Sequence, residues 1–163
     1  MKIGFDIHGV IDTKPDFFRE LMQMLVAGGA EVHVISGPRV EQCRKELEAM
    51  KIYPVITEAP FGKPIANPGG HYTHIFSIVD FHIAKGTPVT QGPEGPEMDP
   101  YLWDQTKAAY CEREGIDLHL DDQDTYGLFF KTPFARFSSR DTPKIRKLRL
   151  QRWPEDQVPP VVK

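Results

Sequence analysis

Four short strings hold the residues whose types and spacing can do chemistry: Asp6 and His8 in KIGFDIHGVID, Ser36-Gly37 after an apolar run, Lys107 in a helical pattern, and Asp121-Asp122. Ile3, Gly4 and Phe5 lead straight into Asp6, so this run reads as a buried strand ending on a carboxylate. Loops leaving the tips of parallel strands open a crevice where ligands bind, and an aspartate there is a candidate nucleophile or metal ligand. Asp121 and Asp122 close a second such strand. Adjacent carboxylates repel unless a cation or hydrogen bonds intervene, which makes metal binding the better reading of that pair. Ser36 puts a small hydroxyl at a third tip. Ordinary roles compete: Asp6 or Asp12 as a helix cap, Asp124 as a turn cap, Lys107 as a surface lysine. Lys63, in the loop string FGKP, competes with Lys107 for any anion.

The elements that must position these groups follow from periodicity. Thr13 with Asp16 three residues on resembles a capping pair, and Phe17, Leu21, Met24 and Leu25 then share one helical face before Gly28-Gly29. A strand over 31–35 delivers Ser36-Gly37-Pro38. Pro38 suits a first helical position, and Val40, Cys43, Leu47 and Met50 form the buried stripe of a second helix. The order β-α-β-α argues for parallel strands with right-handed crossovers. Within the Pro/Gly-rich middle, Thr73–Val79 reads as another core strand, while 58–72 and 86–99 read as long loops rimming the crevice. Asp99-Pro100 opens a third helix that Gly115 ends. Ile116, Leu118 and Leu120 form the strand ending on Asp121, and a last short strand falls within Leu128–Phe137. Residues 1–138 thus read as one α/β domain, and 139–163 as a basic, Pro-containing extension.

The string Asp6-Ile7-His8-Gly9-Val10 resembles the first motif of the haloacid-dehalogenase-like (HAD-like) phosphatases, an apolar strand followed by D-x-D-x-T/V, with His8 in place of the second aspartate. Ser36, Lys107 and Asp121-Asp122 occur in the order of the family's remaining motifs. The resemblance spans residues 2 to about 126, outside the long loops and the tail. It implies a three-layer Rossmann-like HAD core with a mainly parallel sheet and little or no cap domain, because the short gap between His8 and the first helix has no room for one. It also implies a Mg²⁺-dependent phosphatase acting on a small phosphorylated substrate, a metabolite or nucleotide. Asp6 would attack phosphorus, Ser36, Gly37 and Lys107 would bind phosphate oxygens, and Mg²⁺ would be held by Asp6, the His8 main-chain carbonyl and Asp121 or Asp122. Since imidazole titrates nearer neutrality than a carboxylate, His8 has the chemistry to replace the missing aspartate as acid and base. The competing expectation is a catalytically silent module that keeps metal or phosphate binding without turnover.

Composition bounds these readings. The chain has 163 residues, 40% of them hydrophobic, enough for one α/β domain with a real core. A net charge of −3 argues against general affinity for nucleic acid; the basic run from Arg140 to Arg152 is the one hint of it and reads as a solvated extension. No run approaches a membrane span, and Asp6 and His8 interrupt the N-terminal apolar run before a signal core forms. Cys43 and Cys111, in predicted helices and without metal-like spacing, fit reduced thiols and a cytoplasmic setting. His71 and His74, spaced H-x-x-H, lack a third ligand at credible spacing for zinc. His33 and His119 fall within strands as packed or surface histidines, and Phe129, Phe130, Phe134 and Phe137 read as core. No feature sets an oligomeric state.

Overall fold

The computed structural model describes residues 1–58, 64–93 and 95–138; Lys63 and the basic extension lie outside these. In chain order the elements are β1 (Lys2–Phe5), a 3-10 turn (Ile11–Thr13), α1 (Pro15–Ala27), β2 (Glu31–Ser36), α2 (Val40–Ala49), β3 (Ile56–Glu58), β4 (Pro64–Ala66), β5 (His74–Ser77) and α3 (Ile78–Ala84). These are followed by β6 (Thr90–Gly92), β7 (Gly95–Glu97), α4 (Pro100–Glu114), β8 (Leu118–Asp121), α5 (Asp124–Gly127) and β9 (Phe134–Arg136). Five strands form one sheet in the order β5-β2-β1-β8-β9, and every pairing in it is parallel. The chain builds outward from β1 through β2 to β5, then returns to the other side of β1 with β8 and β9. The sheet is therefore Rossmann-like, and its order reverses between β1 and β8, which is where a crevice opens beyond the strand tips.

Alternation along the strands supplies an apolar cluster to each face. Val32 and Val34 of β2 join Phe5, Phe18, Met22, Cys43 and Leu47 on the face covered by α1 and α2. Ile35 joins Phe76, Ile78, Tyr110, Cys111 and Ile116 on the other. Among the described residues no helix is long and apolar enough to cross a membrane.

Several sequence expectations shift. The buried face of α1 is Phe18 and Met22, whereas Phe17 and Met24 are 55% and 66% exposed. Thr13 does not cap α1: its hydroxyl donates to the Val10 carbonyl, and Asp12 accepts from Gly9 N–H, so both close the loop before the helix. α2 starts at Val40, two residues after Pro38, and its first N–H donates to Asp80 Oδ2 at 2.8 Å. The β5 strand stops at Ser77, whose hydroxyl accepts from Asp80 N–H and starts α3, so Ile78 and Val79 are helical. Each of the two long loops carries a small antiparallel hairpin, β3-β4 and β6-β7. β9 is confined to three residues.

Candidate active site and metal centre

Asp6 follows β1, Ser36 ends β2 and Asp121 ends β8, so the parallel sheet brings three polar side chains from distant parts of the chain to one edge. All three are buried. Lys107, 1% exposed, reaches them from the buried side of α4, and its ammonium donates to Asp6 Oδ2 and to Asp121 Oδ2 at 2.6 Å each. The Ser36 hydroxyl donates to Asp6 Oδ1 at 2.9 Å, and the Ile7 N–H donates to the same oxygen at 2.7 Å. Both oxygens of the candidate nucleophile are thus held in place.

Asp121 is fixed further by Gln123 N–H at 3.0 Å and lies 3.3 Å from His119 Nε2. Burial opposes ionisation of Asp121, but Lys107 and then His119 outweigh it and hold this carboxyl down to about 2. Burial likewise disfavours the Lys107 ammonium, while Asp6 and Asp121 more than compensate and raise it above its ordinary value. Asp122 has no such cation of its own. Burial, then the charges of Asp121 and Asp6, push it up to about 6. Oxygens of Asp6, Asp121 and Asp122 all lie within 4.8 Å of one another. Three carboxylates against one ammonium, with one carboxyl raised, form a donor set short of positive charge. All-oxygen ligation suits a hard divalent cation such as Mg²⁺. Gly9 completes the cradle: its φ is +79°, and a Cβ there would come within 2.3 Å of Asp122 Cγ.

His8 is exposed. Its Nδ1 lies 3.4 Å from Ser36 Oγ, and its Nε2 lies 3.1 Å from Glu46 Oε2 on α2. A cavity of about 320 Å³ opens beside it, lined by Ile7, His8, Asp12, Glu46, Ala49 and Met50. Gly37 lies against the Trp103 ring, where a Cβ would come within 2.6 Å of Cζ2. Trp103 Nε1–H donates to Tyr126 Oη at 2.9 Å, and the Tyr126 ring sits 4.7 Å from the Lys107 ammonium.

The structure therefore gathers Asp6, Ser36, Gly37, Lys107, Asp121 and Asp122, with His8 at the rim. Asp124 pairs instead with Arg136 at 3.0 Å. Sequence reasoning missed Glu46, Trp103, Tyr126 and the placement of His119 behind Asp121. Glu46 had one signal: it lies three residues after Cys43 on α2, and an imidazole acting as acid and base needs an acceptor. The thiols take no part, because burial pushes Cys43 and Cys111 up to about 12. His71 Nδ1 accepts from Tyr53 N–H at 3.1 Å, which leaves it outside any ligand set with His74. No protein-family model matches the chain, and neither a curated protein nor a solved structure matches it.

Proposed function

We propose that the protein is a phosphomonoester hydrolase of HAD-like type, with a three-layer core and no large cap, acting on a small phosphorylated metabolite or nucleotide with Mg²⁺ as cofactor. The observation that carries this reading is the Lys107 ammonium held between Asp6 and Asp121 at 2.6 Å from each, with the Ser36 hydroxyl on the free side of Asp6. A nucleophilic carboxylate, a buried cation and a hydroxyl donor at one point suit attack on a tetrahedral anion.

Asp6 attacks phosphorus and the ester P–O bond breaks, leaving an aspartyl-phosphate. The leaving oxygen departs toward the cavity beside His8 and takes a proton from its imidazole. The same imidazole then accepts a proton from the water that attacks phosphorus, releasing phosphate and restoring Asp6. Lys107 and the Ser36 hydroxyl bind the phosphoryl oxygens, and Lys107 keeps Asp121 ionised. Asp6, Asp121 or Asp122 and the His8 carbonyl would hold a hard divalent ion, which would supply charge that offsets repulsion between carboxylate and phosphate. The cavity of about 320 Å³ is at the small end of ligand sites, which favours a compact leaving group.

A second reading, a metal- or phosphate-binding module without turnover, draws on the contact between His8 Nε2 and Glu46, which aims that nitrogen away from Asp6. Phosphate release from a panel of phosphomonoesters, with Mg²⁺ or EDTA, separates the two. Mg²⁺-dependent turnover abolished in Asp6→Asn, and reduced more in His8→Ala than in His8→Asp, is the result expected. No release on any ester, with Mg²⁺ still raising the unfolding temperature, refutes the hydrolase reading in favour of the binding module.

A further inference from the structure

The opposite end of the sheet carries a second group of metal-ligating side chains, remote from the strand tips that hold Asp6. Glu31 and His33 are two residues apart on β2 and so face the same way, and His33 is in direct register with His74 on the neighbouring parallel strand β5. Donor atoms of the three all lie within 4.8 Å of one another.

His33 is 1% exposed. Its Nδ1 lies 2.9 Å from Tyr110 Oη, but among the described residues its Nε2 makes no hydrogen bond, the Glu31 Oε2 beside it being 3.6 Å away, beyond hydrogen-bond length. A buried imidazole nitrogen without a partner is rare enough to need an occupant. The His74 tautomer is fixed by its neighbour. Thr73 has a single hydroxyl proton, which it donates to the Val32 carbonyl at 2.9 Å, so toward His74 Nδ1, also at 2.9 Å, it can only accept. Nδ1 therefore carries the proton, and His74 Nε2 presents its lone pair. Each imidazole thus meets a hydroxyl through Nδ1, and with Tyr110 accepting from His33 as Thr73 accepts from His74, this is the arrangement that orients metal-bound histidines.

We propose that Glu31, His33 and His74 form a site for a zinc-class divalent transition-metal ion, which clamps β2 to β5. Two imidazoles and a carboxylate suit Zn²⁺ and its borderline neighbours and discriminate against Mg²⁺, which prefers oxygen ligands. The two rings are stacked at 4.3 Å with an interplanar angle of 12°, which runs their lone pairs side by side. Closing on one ion turns the exposed His74 ring, while Tyr110 holds the buried one. Lys2, now 3.3 Å from Glu31 Oε2, swings its half-exposed ammonium into water.

The test is titration of the full chain with Zn²⁺ in excess Mg²⁺, which occupies the acidic cluster at the other end of the sheet, followed by equilibrium dialysis and metal analysis. The wild-type chain is expected to retain one equivalent of Zn²⁺. Tyr110→Phe, which keeps the ring, is expected to weaken it about 10–100-fold, with His74→Ala and Glu31→Gln at least as damaging. His74 and Glu31 are not in the core, so both variants fold, as unchanged circular dichroism verifies. Failure of the wild-type chain to retain Zn²⁺, or retention by His74→Ala and Glu31→Gln with unchanged affinity, overturns the proposal. Phosphatase assays bear on neither outcome.

Discussion

Replacing Asp122 by Asn should stabilise the metal-free protein and remove its response to Mg²⁺. Burial first, and then the charges of Asp121 and Asp6, push Asp122 up to about 6 from an ordinary aspartate value of about 4. A folded-state value above the unfolded one contributes stability that is fully present below the unfolded pKa and lost as pH rises through the folded pKa. For Asp122 the loss runs from about pH 4 to just above pH 6. A rise of about 2 pH units corresponds to about 3 kcal/mol, reduced to about 1–2 kcal/mol because the carboxylate is half-buried and screened. Asn carries no charge and can still accept from Gln123 Nε2–H, which is 2.8 Å from Asp122 Oδ2.

Scanning calorimetry in EDTA should therefore show Asp122→Asn gaining stability relative to the wild-type chain as pH rises from about 4.5 to 7; the comparison cancels the opposite slope of the buried His33, His71 and His82, which both proteins share. At pH 7 the variant should unfold higher by roughly 2–8 °C, since 1 kcal/mol moves a domain of this size by about 2–4 °C. Mg²⁺ should raise the wild-type transition at pH 7 and leave the variant's nearly unmoved. A difference between variant and wild type that does not grow from pH 5 to 7 without metal, or a variant no more stable than wild type at pH 7 in EDTA, would refute the charge argument. A variant with an undiminished Mg²⁺ response would remove Asp122 from the ligand set.

Three further outcomes follow from the geometry. Lys107→Met leaves Asp6 and Asp121 buried without their cation and should cost about 3–5 kcal/mol in urea unfolding; acidification should recover part of it, because burial raises the Asp121 carboxyl once the larger of the charges opposing it is gone. Gly9→Ala places a non-glycine residue at φ +79° and a Cβ within 2.3 Å of Asp122 Cγ, so it should cost about 1–2 kcal/mol and weaken Mg²⁺ binding in the same calorimetric assay. Phe18→Ala should cost about 3–5 kcal/mol and Phe17→Ala under about 1 kcal/mol, measured by chemical denaturation; equal losses would place the buried face of α1 wrongly.

What was legible in the sequence was mostly what local chemistry dictates. The apolar run into Asp6 marks β1, and Asp99-Pro100 with Gly115 at φ 65° brackets α4 at both ends, because cap residues act within one turn. The phase of α1 was not legible. Phe17 and Phe18 are adjacent, each begins a plausible apolar stripe, and the choice depends on Phe5 and Phe137, which meet Phe18 edge-on at ring distances of 5.7 and 5.3 Å. Ile78 and Val79 continue an apolar β-branched run, so only the Ser77 cap on Asp80 betrays the turn into α3. Trp103 and Tyr126 are bonded across 23 residues, and His33 meets His74 only through the register of β2 with β5. Such contacts are properties of the assembled sheet, invisible to any local window.

A histidine at position 8 makes physical sense in the same terms. An aspartate there would put another carboxylate near Asp6, Asp121 and Asp122, with Lys107 still the one buried ammonium joined to them. An imidazole adds no negative charge and so relieves that crowding. Glu46, at 3.1 Å from His8 Nε2, returns the negative charge one side chain further out. The imidazole thus stands between a carboxylate at its Nε2 and the Ser36 hydroxyl 3.4 Å from its Nδ1, and a proton entering at one nitrogen can leave from the other. An aspartate working alone has no such second partner. If His8 is the proton carrier, Glu46→Gln should therefore lower turnover and shift its pH profile while leaving Mg²⁺ stabilisation intact, since Glu46 touches none of the three clustered carboxylates; an unchanged profile would leave the His8–Glu46 contact a surface ion pair without a part in the reaction.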